Sequence, residues 1–145
     1  MNDKSSYQIF NESGVSVPVD KAGLKTVIGH LEEGESCRFH LVEVVYVDND
    51  EILRINNTYL GHDYVTDIIT FPYEESNEQI EGTLFCCATQ IRQQSIEYGV
   101  TYENETLRVL IHGLLHLVGY DDQNEADRTT MRNRENKYLR LYRDS

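Results

Sequence analysis

Two histidines in the C-terminal part of the chain have the spacing needed to bind one metal ion. His112 and His116 are four residues apart in the segment HGLLHLVGYDD, which begins at His112. On a helix, residues at this spacing lie on one face, one turn apart, so two imidazoles reach the same ion. Gly119 can end the helix with a positive φ, and the chain then turns back toward Asp122. The pattern predicts a metal site with His112, His116 and Asp122 as ligands.

The ligand spacing resembles the zinc helix of metzincin-type proteases, in which a third ligand follows two histidines and a glycine. One position differs, because Gly113 stands where a peptidase keeps its general-base glutamate. Three protein ligands leave a coordination position open, which is typical of a catalytic site. Two imidazoles and a carboxylate suit zinc, and also iron, manganese or nickel. The alternative is that both histidines are structural side chains of a buried helix.

Asp121 precedes the predicted third ligand and has two possible roles. It could act in catalysis beside His112 and His116, either by reaching the metal or by orienting a ligand. In the other interpretation, its carboxylate only caps the turn after the helix.

Composition limits the kind of protein and its partners. The 145 residues fit one domain, 1–145, and the net charge is -12. Proteins that bind nucleic acid mainly by neutralising phosphates are usually basic, so a polyanion would need a local cationic site or the metal. The basic residues concentrate late in the chain, at Arg128, Arg132, Arg134, Lys137, Arg140 and Arg143. They are either such a site or a solvated helix face.

Cysteine usage and hydropathy predict a cytoplasmic protein. No apolar run approaches the length of a membrane span, and the first residues lack the apolar core of a signal peptide. Cys37, Cys86 and Cys87 are odd in number and form no C-x-x-C pair, so we expect buried reduced thiols.

Hydrophobic periodicity predicts an α+β fold, with about five helices packed on a mixed sheet of three parallel strands and one antiparallel strand. The predicted strands are Tyr7–Phe10, Phe39–Val47, Asp67–Phe71 (stopped by Pro72) and Gly82–Cys87. The predicted helices are Asp20–Glu33 closed by Gly34, Asp48–Tyr59, Thr89–Tyr98 capped by Thr89, Glu103–Gly119 and Glu125–Tyr142. Helical crossovers favour parallel pairing of the first three strands, and the short connection 73–81 favours a hairpin. The fourth strand should then be antiparallel, at or near an edge, with the metal site at the C-terminal end of a buried helix.

Several blocks together resemble the YbeY family, single-strand-specific metallo-endoribonucleases of ribosomal RNA maturation. The family motif H-G-x-L-H-L-x-G-Y-D-H matches residues 112–122, with Asp122 in place of the last histidine. A second block, L-N-x-x-Y-R-x-x-D-x-x-T-D-V-L-S-F-P, resembles residues 55–72. Residues 82–87 match the family's G-D-I-x-I-S weakly, and Met131 and Glu135 fit its M-x3-E. The resemblance covers about residues 40 to 140.

The resemblance implies a zinc-dependent endoribonuclease that acts in 16S ribosomal RNA maturation and ribosome quality control. It implies single-stranded RNA and the small ribosomal subunit or its proteins as partners, with no membrane and no DNA. Two positions depart from the family, since Leu60 replaces a usual arginine and Thr83 replaces a usual acid. Asn56 and His62 are candidate substrate-binding residues, although His62 could equally be an exposed loop residue without a role.

Three functions remain open on these grounds. The first is the nuclease, whose general base would be a metal-bound hydroxide, Asp121, or the RNA 2′-hydroxyl. The second is a non-catalytic ribosome-assembly factor with a structural metal, which the loss of the arginine at Leu60 favours. The third is a metallopeptidase, which Gly113 opposes.

Overall fold

Five helices and one mixed four-stranded sheet form the described part of the chain, residues 5–74 and 78–145 of a computed structural model. The strands are β1 (Ser6–Asn11), β2 (Phe39–Val47), β3 (Ile68–Glu74) and β4 (Ile80–Cys87). The helices are α1 (Lys21–Glu35), α2 (Asn49–Leu60), α3 (Ala88–Tyr98), α4 (Tyr102–Val118) and α5 (Glu125–Asp144). Three strands are parallel and one is antiparallel, which confirms the predicted fold class.

The sheet order, β1-β2-β4-β3, corrects the predicted strand directions. β4 pairs in parallel with β2, and β3 is antiparallel to β4 at the edge. The hairpin between β3 and β4 was predicted correctly, but the assignment of the antiparallel edge to the fourth strand is wrong. The physical reason is burial, since most residues of β4 are buried, as a central strand requires.

β3 has the features of an edge strand. It continues through Pro72 to Glu74, whereas the sequence predicted that Pro72 stops it. Proline has no N–H to donate, and an edge strand has one side on which no donor is needed. Tyr73 is also exposed there.

Two predicted caps are wrong. Cys87, not Thr89, is the N-cap of α3, and the Thr89 hydroxyl instead donates to Asn49 Oδ1 at 2.6 Å. α1 does not end at Gly34, because it continues to a left-handed Ser36. A Cβ at Gly34 would overlap the Tyr138 hydroxyl, so this glycine allows α5 to approach α1 closely.

α4 is the buried helix that carries the two histidines. Thr101 caps its start by accepting from the Asn104 N–H at 3.0 Å, and Gly119 ends it with a φ of 124°. The helix contacts α3, α5 and the strands β3 and β4. Its fully buried apolar residues are Leu110, Ile111, Leu114 and Leu115. The predicted burial around the site is therefore present.

The three cysteines are free and buried, as predicted. Burial and the nearby carboxylates of Glu32 and Glu35 raise the pKa of the Cys37 thiol to about 11. Among the described helices, none has the length and apolar character that crossing a membrane requires.

Candidate metal centre

The two histidines of α4 and the aspartate after it converge on one point. His112 and His116 lie one turn apart, and the turn that follows Gly119 brings Asp122 back beside them. The His116 Nε2 and His112 Nε2 atoms are 3.0 Å apart. Asp122 Oδ2 lies 3.3 Å from His112 Nε2 and 3.4 Å from His116 Nε2. We call these three residues the triad.

The triad has the chemistry and dimensions of a divalent metal site. Ligand atoms about 2.0 to 2.1 Å from a tetrahedral ion lie about 3.4 Å from one another, close to the three distances observed. Two imidazole nitrogens and one carboxylate oxygen suit zinc and other divalent transition metals. All three side chains are partly buried, so one side of the triad stays open to the cleft.

Glu135 of α5 orients the first histidine. Its Oε2 lies 2.6 Å from His112 Nδ1, and its Oε1 accepts from Arg108 at 2.9 Å. Burial alone would lower the pKa of His112, but the hydrogen bond and charge of Glu135 outweigh burial and raise it. Burial would raise the pKa of Glu135, and its bonds to His112 and Arg108 outweigh that effect and lower it. Glu135 therefore holds a proton at Nδ1 and leaves Nε2 free to be a ligand.

The second histidine is oriented by the backbone. His116 Nδ1 lies 2.9 Å from the carbonyl oxygen of Tyr120. The Tyr120 hydroxyl donates to Glu35 Oε1 at 2.7 Å, and Tyr138 donates to the other oxygen of Glu35. Because Glu35 lies in α1, the turn that carries Asp122 is fastened to two helices besides α4.

Gly113 is a packing position. A Cβ there would lie 2.6 Å from Ile68 Cδ1 and 3.0 Å from Leu84 Cδ2, so the residue faces the sheet. A glutamate cannot occupy this place without displacing both side chains. The local packing therefore opposes the peptidase alternative for a reason that the sequence alone did not show.

Two grooves flank the triad, and both are lined by Asp67, His112 and Asp122. The first groove, which we call the loop groove, has a volume of about 620 Å³ and also contains His116. Its remaining wall comes from the end of α2, the segment between α2 and β3, β3 itself and the turn after α4. The second, which we call the α5 groove, has a volume of about 240 Å³ and lies between α3, α4 and α5.

The predicted substrate-binding residues both line the loop groove. Asn56 is buried, and its Nδ2 donates to the Tyr64 carbonyl at 2.9 Å, so it holds the loop in shape. His62 is exposed and stacks on the Tyr64 ring, with centroids 5.3 Å apart and 15° between the planes. Leu60 lines the same groove and is about half exposed.

Asp121 also lines the loop groove but lies outside the triad. Its Oδ1 accepts from the Asp122 backbone N–H at 2.9 Å, so it supports the turn that carries the third ligand.

The sequence did not predict that Arg108 binds Glu135 or that Asp67 lines both grooves. It also gave no indication that Glu135 orients His112. The M-x3-E match placed Glu135 in the family pattern, and the usual carboxylate partner of a ligating histidine could have suggested its function. Asp67 matches the aspartate of the T-D pair in the second family block, but only the packing of β3 against α4 brings it beside His112 and Asp122.

Comparison with known proteins places this chain in a sequence family. The family model described as "Endoribonuclease YbeY" matches residues 9–143. A protein of Chlorobaculum tepidum named Endoribonuclease YbeY is 41% identical over 132 residues, which cover 91% of this chain and 94% of the relative. A protein of Chlorobium phaeobacteroides with the same name is 40% identical over 134 residues, covering 92% and 95%.

The fold also matches a solved structure. A Thermotoga maritima protein determined in solution superposes with a TM-score of 0.62 at 29% identity, covering 94% of this chain and 89% of that protein. Because the family model spans nearly the whole chain and the relatives are similar over nearly their full length, this chain belongs to the YbeY endoribonuclease family.

Proposed function

We propose that this chain is a zinc-dependent endoribonuclease that cleaves single-stranded RNA during ribosomal RNA processing. One observation carries the proposal: the triad of His112, His116 and Asp122 lies between two grooves. The two grooves share His112 and Asp122 in their linings, so they form one cleft along the triad. Such a cleft admits an extended strand and keeps the reacting phosphate beside the metal ligands. The loop groove and the α5 groove would then hold the nucleotides on either side of the cleaved bond.

The chemistry divides between the ion and the residues around it. When bound, zinc polarises a phosphoryl oxygen and lowers the pKa of water. His112 and His116 keep their protons on Nδ1, where Glu135 and the Tyr120 carbonyl accept them, so both Nε2 atoms face the cleft. We assign Asp121 the role of accepting a proton from the attacking group, because its exposed carboxylate lines the groove beside both histidines.

The loop groove is proposed to position the substrate. Asn56 fixes the loop backbone, and the stacked pair of His62 and Tyr64 offers a flat aromatic surface to a base. Stacking of this kind needs an unpaired base, which fits a preference for single strands.

We also propose where the reaction takes place and on which particle. We propose that residues 1–145 act as one domain in the cytoplasm, and that the substrate is reached on the small ribosomal subunit or its 16S ribosomal RNA precursor. Family membership supports this setting over both the assembly-factor and the peptidase alternatives.

Cleavage of a short labelled RNA tests the activity. Wild type with zinc should cleave the RNA when it is single-stranded and leave it intact when it is annealed to its complement. His116→Ala and Asp122→Ala should reduce cleavage to background, because each removes a ligand.

The matched control is His40→Ala, which removes a histidine of β2 outside the cleft. This variant should cleave like wild type. Equal cleavage by wild type and both triad variants would assign the activity to a contaminant or another site.

A further inference from the structure

We propose that Arg128 and Arg132 of α5 form a phosphate-binding site for the RNA strand, in a chain that has Leu60 where its family usually has an arginine. The inference rests on the proposed function, because it concerns the substrate of the same cleft. Arg128 and Arg132 line the α5 groove, whereas Leu60 lines the loop groove, so the proposed site is a second wall of the cleft.

One face of α5 is turned toward the α5 groove. Residues 128, 131, 132 and 135 follow the i, i+3, i+4, i+7 spacing of a single helix face, and all four line this groove. Met131 and Glu135 are buried at its base, whereas Arg128 and Arg132 are exposed at its rim. The Cα atoms of Arg128 and Arg132 are about 6 Å apart along the helix axis.

The charge of the two rim arginines is uncompensated. Over residues 5–74 and 78–145, neither guanidinium takes part in a hydrogen bond or an ion pair. The third arginine of the groove, Arg108, differs because it donates to Glu135 and to Asn136. Arg128 and Arg132 are therefore the cations of this wall that are available to a phosphate.

The carboxylates that face the groove are occupied by other contacts. Glu135 is bound by His112 and Arg108, and Asp122 belongs to the triad. Glu105 and Asp67 both accept from the Gln94 amide, at 2.9 Å and 3.2 Å. The rim thus carries two arginines above hydrogen-bonded carboxylates, of which Glu135 is bound to Arg108 and His112 and the others keep their negative charge.

The two grooves differ in the charge of the residues that line them. The described lining of the loop groove contains His62 and Tyr64 but no arginine or lysine. The α5 groove contains the two rim arginines and the exposed ring of Tyr98 at the end of α3. A phosphate on the arginines and a base stacked on Tyr98 would fix one nucleotide beside the triad.

The test measures binding separately from cleavage. The probe is a short fluorescein-labelled single-stranded RNA with phosphorothioate linkages, which keep the backbone charge and resist hydrolysis. Zinc-loaded wild type is compared with the double variant Arg128→Gln/Arg132→Gln at several salt concentrations. The double variant should bind about tenfold more weakly. Its slope of log Kd against log salt should fall by about 1.4, because each lost contact to a single strand contributes about 0.7.

The control is Arg140→Gln/Arg143→Gln, which removes the same charge from the exposed distal end of α5, outside both grooves. This variant should keep the wild-type slope and affinity. Arg128→Lys/Arg132→Lys should keep the slope while losing part of the affinity, because lysine retains the charge without the bidentate geometry. Zinc content and thermal unfolding should match wild type in all variants, since the four arginines are exposed.

Failure of this inference and failure of the proposed function give different results. If the Arg128/Arg132 variant binds and responds to salt like the Arg140/Arg143 control while wild type cleaves RNA, the arginine site is wrong and the nuclease stands. If the Arg128/Arg132 variant loses affinity and slope as predicted but wild type does not cleave normal RNA, the nuclease proposal fails and the binding site stands. Wild type that does not bind single-stranded RNA would overturn both.

Discussion

The side chains and backbone groups that hold the two histidines in position determine whether the triad can bind a metal. A histidine binds a metal well only when its ring is held in the correct tautomer and orientation. Glu135 does this for His112 at 2.6 Å, and the Tyr120 carbonyl does it for His116 at 2.9 Å. The two partners reach the site from α5 and from the turn after α4, so ligand geometry depends on how these segments are docked.

Glu135→Gln should weaken zinc binding by about 10- to 100-fold, the usual cost of losing the partner of a ligating histidine. The neutral amide accepts the Nδ1 proton less strongly and leaves Arg108 without its charge partner. Zinc affinity measured by competition with a chromophoric chelator checks the prediction. Glu97→Gln, an exposed change on α3, should leave affinity unchanged. Equal affinities for wild type and Glu135→Gln would contradict the orienting role.

The convergence of the triad could be predicted from the sequence because His112, His116, Gly119 and Asp122 belong to one helix and the turn that follows it. Helix periodicity sets the relative placement of the two histidines, and the turn that follows Gly119 places Asp122 beside them. The roles of Glu135, Arg108 and Asp67 could not be predicted in the same way. Long-range packing brings each of these residues close to the triad. No local sequence pattern specifies which side chains will be in contact there.

Helices and strands position the site through close contacts that small residues permit. α4 lies against β3 and β4 at Gly113, where the nearest side-chain atoms leave no room for a Cβ. The same kind of contact occurs at Gly34, which allows α5 to approach α1. Gly113 therefore determines how closely α4 lies on the sheet, and Gly34 how closely α5 lies on α1.

Gly113→Ala should lower the free energy of unfolding by about 1 to 3 kcal/mol, because an added methyl must displace Ile68 and Leu84. Gly113→Glu should cost more, since it also buries a carboxylate. Urea unfolding measures both.

Gly29→Ala is the matched control for the Gly113 variants. Gly29 lies inside α1, and no atom of its surroundings lies within 4 Å of the place that an added methyl would occupy. Alanine there should therefore stabilise the fold by about 0.5 to 1 kcal/mol. Gly113→Ala with the stability of wild type would show that the helix and sheet are not in close contact at this point.

Most helices and strands followed from hydrophobic periodicity, and the bounds of β2 were predicted without error. The direction of the strands was harder to predict from the sequence. The short connection correctly indicated a β3–β4 hairpin, but the sequence did not show that β4 inserts between β2 and β3. That order depends on which strand buries both faces, as β4 does with Leu84 on one face and Cys87 on the other, rather than on local pattern.

The molecule as a whole combines a strongly negative charge with a function that involves a polyanion. A net charge of -12 repels RNA over most of the surface, and salt screens this repulsion beyond roughly 8 to 10 Å. With a metal bound, a cleft that also carries Arg128 and Arg132 would concentrate attraction at one place. This arrangement favours binding at the cleft over nonspecific coating of the protein by RNA.

Metal binding should also stabilise the whole fold, because the triad joins α4 to the turn that leads into α5. At a free zinc concentration 100 times the Kd, the stabilisation should be about 2.7 kcal/mol. Thermal unfolding with zinc and with a chelator should then differ by roughly 5 to 10 °C. His112→Ala should lose the zinc-dependent shift, whereas His40→Ala should keep it. A wild-type melting temperature that does not respond to zinc would count against a metal site within the fold.

The central claim is that the triad holds a metal required for RNA cleavage. The most direct measurement titrates zinc into metal-stripped wild type while single-stranded RNA cleavage and bound zinc are followed together. Activity should rise in proportion to bound zinc and saturate at about one ion per chain, and His116→Ala should show neither binding nor activity. Full cleavage by the metal-stripped protein, or by His116→Ala without bound zinc, would contradict the claim.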